Sequence, residues 1–185
     1  MYISESGSGS PVVLLHGAPS KTTYFAALAD VLAPRARVLA PEFPGYGRTP
    51  RLAGAYSIAR ANALLEDALL SRGVAECAVL GYSLGGYRAL LLALSGRVRV
   101  TRLYLLSGHA GLTPEHAGSM GGYLHLLRDP ASDLRGMWRS YMLPPGFAES
   151  HPAEAADVTS WIDAVPRGVL ADEVAAVADL RAPRT

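Results

Sequence analysis

Cysteine occurs once in the 185-residue chain, at Cys77. No disulfide can form within the chain, and nothing in its cysteine usage suggests a stapled secreted scaffold. Cys77 lies in a short apolar run and reads as a buried, inert thiol. Long apolar runs are also missing, and none reaches the roughly 20 residues a membrane-spanning helix needs. Met1-Tyr2-Ile3-Ser4-Glu5-Ser6-Gly7 lacks a basic segment followed by an apolar one, so no secretory signal is read there and the expected location is cytoplasmic. Excess charge of either sign is absent: 17 Lys and Arg face 16 Asp and Glu, a formal net charge of +1. That balance gives no electrostatic case for nucleic acid or an anionic membrane as a partner. The five histidines and the acidic residues show no metal-ligand spacing, and there is no internal repeat or low-complexity segment. What is present is a composition 50% hydrophobic and 18% charged, that of one globular domain with a sizeable core.

Val12-Val13-Leu14-Leu15 is a short all-apolar run after a flexible Gly/Ser stretch broken by Pro11, and it reads as a strand buried on both faces. Tyr24, Leu28, Val31 and Leu32 fall at helical spacing, with Pro34 stopping the helix. A second strand, Arg37 to Ala40, runs into a loop of prolines and glycines from Pro41 to Pro50. Ser57 can cap a helix with Ala61, Leu64, Leu65, Ala68 and Leu69 on its apolar face and Gly73 at its end. A strand from Cys77, a helix ending at Gly96 and a strand from Leu103 to Leu106 follow. This alternation predicts an α/β fold: a doubly wound, mostly parallel sheet with helices on both faces. Ligand crevices of such sheets lie beyond the carboxyl ends of the strands. His16-Gly17-Ala18, Glu42, Ser83 and Ser107-Gly108-His109 all fall at such ends.

From about Leu112 to Arg167 methionines and aromatics (Met120, Tyr123, Met137, Trp138, Tyr141, Met142, Trp161) appear among prolines and short helical stretches. This segment reads as a small helical cap whose apolar residues fill its own core or line a pocket. A last helix, about Leu170 to Leu180, carries Leu170, Val174 and Val177 on one face. The expected organisation is a core over 1–111, a cap over 112–167 and a returning helix over 168–185.

The organising stretch is Gly81-Tyr82-Ser83-Leu84-Gly85, between an apolar run and a helix-forming one. G-x-S-x-G in a strand–turn–helix context is the pattern of a nucleophile elbow. A serine on so tight a turn projects its hydroxyl beyond the sheet, and Gly81 and Gly85 fall where a Cβ would crowd the neighbouring backbone. The Leu84 N–H opens the helix unpaired, aimed at developing negative charge. The pentapeptide by itself also fits a glycine-rich strand–helix turn with an idle serine.

Leu14-Leu15-His16-Gly17-Ala18-Pro19, Ala40 to Thr49 (A-P-E-F-P-G-Y-G-R-T) and Leu80 to Gly86 (L-G-Y-S-L-G-G) together resemble the α/β-hydrolase superfamily. The likeness is to its lid-bearing branch of small esterases, haloperoxidase-like enzymes and C–C-bond hydrolases. Glu42 stands where that family usually carries Asp. The resemblance implies that Ser83 is the nucleophile, that the backbone N–H groups of Ala18 and Leu84 form the oxyanion hole, and that His16 with Gly17 braces the turn beneath it. It implies acyl chemistry on a small apolar ester-like substrate with no cofactor and no metal. In the family the acid and the histidine follow strands beyond the cap, and the sequence ends at Asp179 to Thr185, which resembles the approach to the first of these. The expectation is therefore a chain truncated before both loops. His109, after the strand beside the elbow strand, is the one histidine whose location makes it a substitute base. His116, His125, His151, Asp129, Asp133, Asp157 and Asp163 read as solvated cap residues.

Without further strands, Leu103 to Leu106 would form an uncovered apolar edge, and self-association through it is expected. Two other readings stand beside the serine hydrolase. One is a catalytically silent binding or interaction module; the other is a fragment that needs a complementing chain.

Overall fold

The computed structural model describes residues 1–20, 23–108 and 110–178. The apolar runs become β2 (Pro11–Leu15), β3 (Arg37–Pro41), β4 (Glu76–Tyr82) and β5 (Arg99–Leu106), preceded by β1 (Ile3–Ser6). Between them lie α1 (Ala26–Leu32), α2 (Ile58–Leu70) and α3 (Leu84–Ser95). The strands form one sheet in the order β1-β3-β2-β4-β5. β3, β2, β4 and β5 run parallel, while β1 runs antiparallel on the outer side of β3.

The residues before the Gly/Ser stretch, which the sequence did not mark as a strand, form one. Ile3 is buried and the next three residues are exposed, so β1 is made by main-chain pairing with Val38 to Pro41 rather than by an apolar pattern. β5 also starts earlier than Leu103, because Arg99 and Val100 pair with Glu76 and Cys77. On one sheet face Val13, Leu15, Cys77 and Val79 pack with Leu65, Leu69, Ala89 and Leu92 of α2 and α3. On the other, Leu14 and Val38 pack with Phe25, Leu28 and Leu32 around α1. Val31, assigned by its spacing to the buried face of α1, is 72% exposed. Phe25, just before the helix, takes the inward position instead.

The cap of α2 forms as its sequence predicts: the Ser57 hydroxyl accepts from the Arg60 N–H at 3.3 Å. Gly96 closes α3 in the left-handed region, at φ 69°. After β5 the chain is helical: α4 (Pro114–Arg128), α5 (Leu134–Met142), α6 (Phe147–Ser150), α7 (Pro152–Ser160) and α8 (Arg167–Ala178). Trp138 ties α5 to α7, its indole N–H donating to the Val158 carbonyl at 3.0 Å. Met120, Met137 and Met142 are partly buried against the main core. α8 enters that core with Val169, Leu170 and Val174. Among the described residues no helix is long and apolar enough to cross a membrane.

Among the described residues β5 has a strand on one side only. Leu103, Tyr104, Leu105 and Leu106 are 37%, 54%, 46% and 49% exposed, so although α3 packs against β5, an apolar strand presents its outer backbone edge and much of its side-chain surface among the described residues. Such an edge pairs readily with another chain. The chain is expected to run above monomer mass in size-exclusion chromatography with light scattering, and Leu105→Lys is expected to shift it toward monomer. A monodisperse wild-type monomer overturns this.

Candidate active site

β4 ends at Tyr82 and α3 begins at Leu84, leaving Ser83 alone to make the turn. Its backbone is at φ 52° and ψ −121°, a region that non-glycine residues enter only under constraint. The constraint is visible in the glycines. A Cβ on Gly81 would lie 2.2 Å from the Gly85 carbonyl oxygen, and one on Gly85 would lie 2.1 Å from the Leu15 carbonyl oxygen. The first turn of α3 therefore rests backbone-to-backbone on β4 and β2. The turn is pinned by two main-chain bonds, from Ser83 N–H to the Leu106 carbonyl at 2.9 Å and from Gly86 N–H to the Ser83 carbonyl at 2.8 Å.

The loop after β2 meets this turn. A Cβ on Gly17 would come within 3.0 Å of the Ser83 Cβ and 3.1 Å of Tyr82 Cδ1. The loop after β5 meets it too, since a Cβ on Gly86 would lie 3.0 Å from the Gly108 Cα. His16, Gly17, Ala18, Gly81, Ser83, Leu84 and Gly85 are thus gathered at the carboxyl ends of β2 and β4. Among the described residues the amides of Ala18 and Leu84 donate to no protein acceptor, and the Ser83 hydroxyl has no hydrogen-bond partner. His109 lies outside the described residues.

His16 is buried and bonded through both ring nitrogens. The Phe43 N–H donates to Nε2 at 3.2 Å, so Nδ1 carries the proton and donates to the Gly17 carbonyl at 2.8 Å. Burial, and then the nearby positive charge of Arg88, lower its pKa to about 4. Its lone pair is occupied and it stays neutral at pH 7, which leaves nothing to take a serine proton. Glu42 is buried at the end of β3, where its carboxylate accepts from the Arg48 backbone N–H and, at 3.0 Å, from the Arg48 guanidinium. Cys77 is buried, and that burial raises its thiol to about 11.

The remaining candidates are surface residues. His125, Asp129, Asp133, Asp157 and Asp163 are exposed. His116 bonds Thr113 and His151 stacks on Phe147. Among the described residues no group of His, Cys, Asp and Glu could hold a metal ion.

A buried polar cluster beneath the elbow escaped the sequence reading. Arg88, inside a run read as apolar, and Glu173, inside the last helix, are both fully buried and paired with each other. Tyr46 donates to one oxygen of the Glu173 carboxylate, and Tyr56 donates to the other at 3.0 Å. Burial first, and the negative Glu173 next, push the Tyr46 hydroxyl well above the usual tyrosine range. The signal was in the spacing. Arg88 lies four residues from each of the buried Leu84 and Leu92, and Glu173 lies four from each of the buried Val169 and Val177, so each charge sits on an inward stripe.

A mostly parallel sheet in which a serine at positive φ makes the sharp turn from a strand into the helix that follows is the arrangement of the α/β hydrolases. A model of the alpha/beta hydrolase fold family matches residues 10–142, and the chain belongs to that family. It is 31% identical over 110 residues to the uncharacterized protein Rv2715 of Mycobacterium tuberculosis, covering 60% of this chain and 32% of that one. It is 32% identical over 111 residues to the pimeloyl-[acyl-carrier protein] methyl ester esterase of Nitrosospira multiformis, covering 58% and 41%. The crystal structure of a hydrolase from Pseudomonas aeruginosa PA01 superposes with a TM-score of 0.85 at 25% identity, over 96% of this chain and 68% of that one. The matches thus span about a third to two-fifths of the curated relatives' length.

Two predictions follow from the geometry. Gly85→Ala must push the Leu15 carbonyl aside and is expected to cost about 3 kcal/mol, at the upper end of the range for overpacking, read from urea unfolding. For His16, the unfolded imidazole binds a proton near pH 6.5 while the folded one resists until about 4. The unfolded state therefore binds more protons in that window, and stability falls as pH falls through it. The expected loss from this group between pH 6.5 and 5 is about 2 kcal/mol. His16→Asn should flatten that slope in denaturant melts at the two pH values.

Proposed function

We propose that this chain carries the nucleophile and oxyanion hole of a serine hydrolase acting on small apolar esters or similar acyl compounds. The observation that carries the reading is the left-handed backbone of Ser83, 52° in φ, at the junction of β4 and α3. In this mechanism the Ser83 oxygen attacks the substrate carbonyl carbon while a base takes its proton. The resulting oxyanion is held by the amides of Ala18 and Leu84; one such donor is worth about 3–4 kcal/mol in the transition state. The bond to the leaving alcohol then breaks as the alcohol takes a proton, and water releases the acid from the acyl-enzyme. α4 to α7 act as the cap whose apolar residues set the acyl group accepted. No step requires a cofactor. The ester esterase name of one relative supports the substrate class.

A second reading rests on a specific observation: among the described residues, no base is bonded to Ser83. On that reading the chain is a silent binding module, or its catalytic acid and base come from polypeptide beyond these residues. An alkyl fluorophosphonate separates the two. Labelling of wild type but not of Ser83→Ala is expected for the hydrolase, and loss of labelling in His109→Gln would assign the base to His109. Absence of wild-type labelling, with saturable binding of an apolar ester, overturns the hydrolase reading in favour of the silent module.

A further inference from the structure

Glu173 is buried against Arg88, Tyr46 and Tyr56, although it lies on α8, beyond the four intervening helices. We propose that Glu173 is a positioning residue for the Ala18 and Leu84 amides, acting on one through Tyr46 and on the other through Arg88. The inference rests on the oxyanion-hole reading above for its functional meaning, but its structural content can be measured separately.

The first arm runs through α3. Arg88 is one helical turn after Leu84 on the same face. Its guanidinium donates to Glu173 Oε1 and to the Tyr56 hydroxyl and lies over the Phe43 ring, 3.7 Å from its centroid. Its carbonyl accepts from the Asn62 amide of α2 at 2.9 Å. The first turns of α3 are thus held by an ion pair at Arg88 as well as by the close backbone packing at Gly85.

The second arm runs through the loop after β2. Tyr46 donates to Glu173 Oε2, and its ring lies 4.6 Å from that of His16. His16 in turn holds the Phe43 N–H and the Gly17 carbonyl, and Gly17 is joined to Ala18. The two carboxylate oxygens therefore serve different arms. A buried carboxylate serves both because it can accept on each oxygen at once and carries the charge that Arg88 needs in a dry site.

The arms make the test selective. The backbone amide resonances of Ala18 and Leu84 are followed in ¹H–¹⁵N spectra of the full chain. Glu173→Gln, which removes the charge and makes one carboxylate oxygen a donor, is expected to move both. Tyr46→Phe, which cuts only the second arm, is expected to move Ala18 and leave Leu84 in place. Asp172→Asn, its neighbour on α8 with an exposed partner in Arg51, is expected to move neither.

Where wild type is labelled by the fluorophosphonate, Glu173→Gln should lower the maximal labelling rate roughly tenfold or more, with the reagent concentration for half-maximal rate unchanged. Unmoved amides in folded Glu173→Gln, or changes spread evenly over the sheet, overturn the proposal. If that variant does not fold, Tyr46→Phe decides: equal movement of Ala18 and Leu84, or of neither, overturns it. Failure of wild type to label would count against the hydrolase reading and leave the amide result standing.

Discussion

Everything at the carboxyl edge of the sheet depends on how closely α3 approaches the backbones of β2 and β4. A helix that begins one residue after a buried parallel strand must reverse direction within that residue. It then stacks its first turn on the strand it has just left. At the distances found, 2.1 to 2.2 Å from a would-be Cβ to a carbonyl oxygen, only hydrogen fits at positions 81 and 85. The same closeness goes with the positive φ of Ser83, the one residue between β4 and α3. A strained serine, an uncapped helix start and a loop pressed against it are consequences of one packing distance. The strain persists because the surrounding backbone bonds hold the turn in place.

The buried pair of Arg88 and Glu173 solves a different problem, which is how to join the elbow to a helix far along the chain. Replacing such a pair with well-packed apolar groups is often neutral or stabilising, whereas removing one partner costs about 3–5 kcal/mol. Stability therefore gives little reason for the charges. What the pair does supply is a directional link: one carboxylate on α8 is bonded to an arginine on α3 and to two tyrosines in the loops before α2. The phenyl face of Phe43 under the guanidinium adds attraction without adding another hydrogen-bond constraint.

How much of this could be read from residues alone follows from what each element uses to form. β2 is buried on both faces at its carboxyl end and β4 is buried on one face and half-buried on the other, and their apolar runs announce them. α2 carries its own cap at Ser57, and the elbow carries its glycines. β1 forms through main-chain pairing with one buried side chain, so its sequence looks like a loose lead-in. The first half of β5, Arg99 to Arg102, is polar and joins the sheet by register with β4, with the Thr101 hydroxyl bonding the Cys77 carbonyl at 3.1 Å. Periodicity put Val31 inside because it sees one helix and not what that helix packs on, and Phe25, just before the helix, fills the inward position. Arg88 and Glu173 were overlooked for a simpler reason: each was read against its own apolar run, and the meaning of each lies in the other. Two opposite charges on two inward stripes are a pairing signal once they are set side by side.

The proposed chemistry divides along the same line between backbone and side chain. The parts that would stabilise an oxyanion are main-chain groups, fixed by strand ends, glycines and the buried cluster. They need no partner beyond the elements already packed together. Handling the serine proton needs a side chain held at the correct distance, and His16, the one buried histidine among the described residues, has both nitrogens committed to the backbone. An oxyanion hole and binding alone still give about a thousandfold or more over water when a catalytic triad is broken. On the proposed reading, the elements from β1 to α8 hold the electrostatic half of the mechanism complete. The proton-transfer half is set by whichever base reaches Ser83, and this makes geometry and proton transfer separable by experiment in this fold.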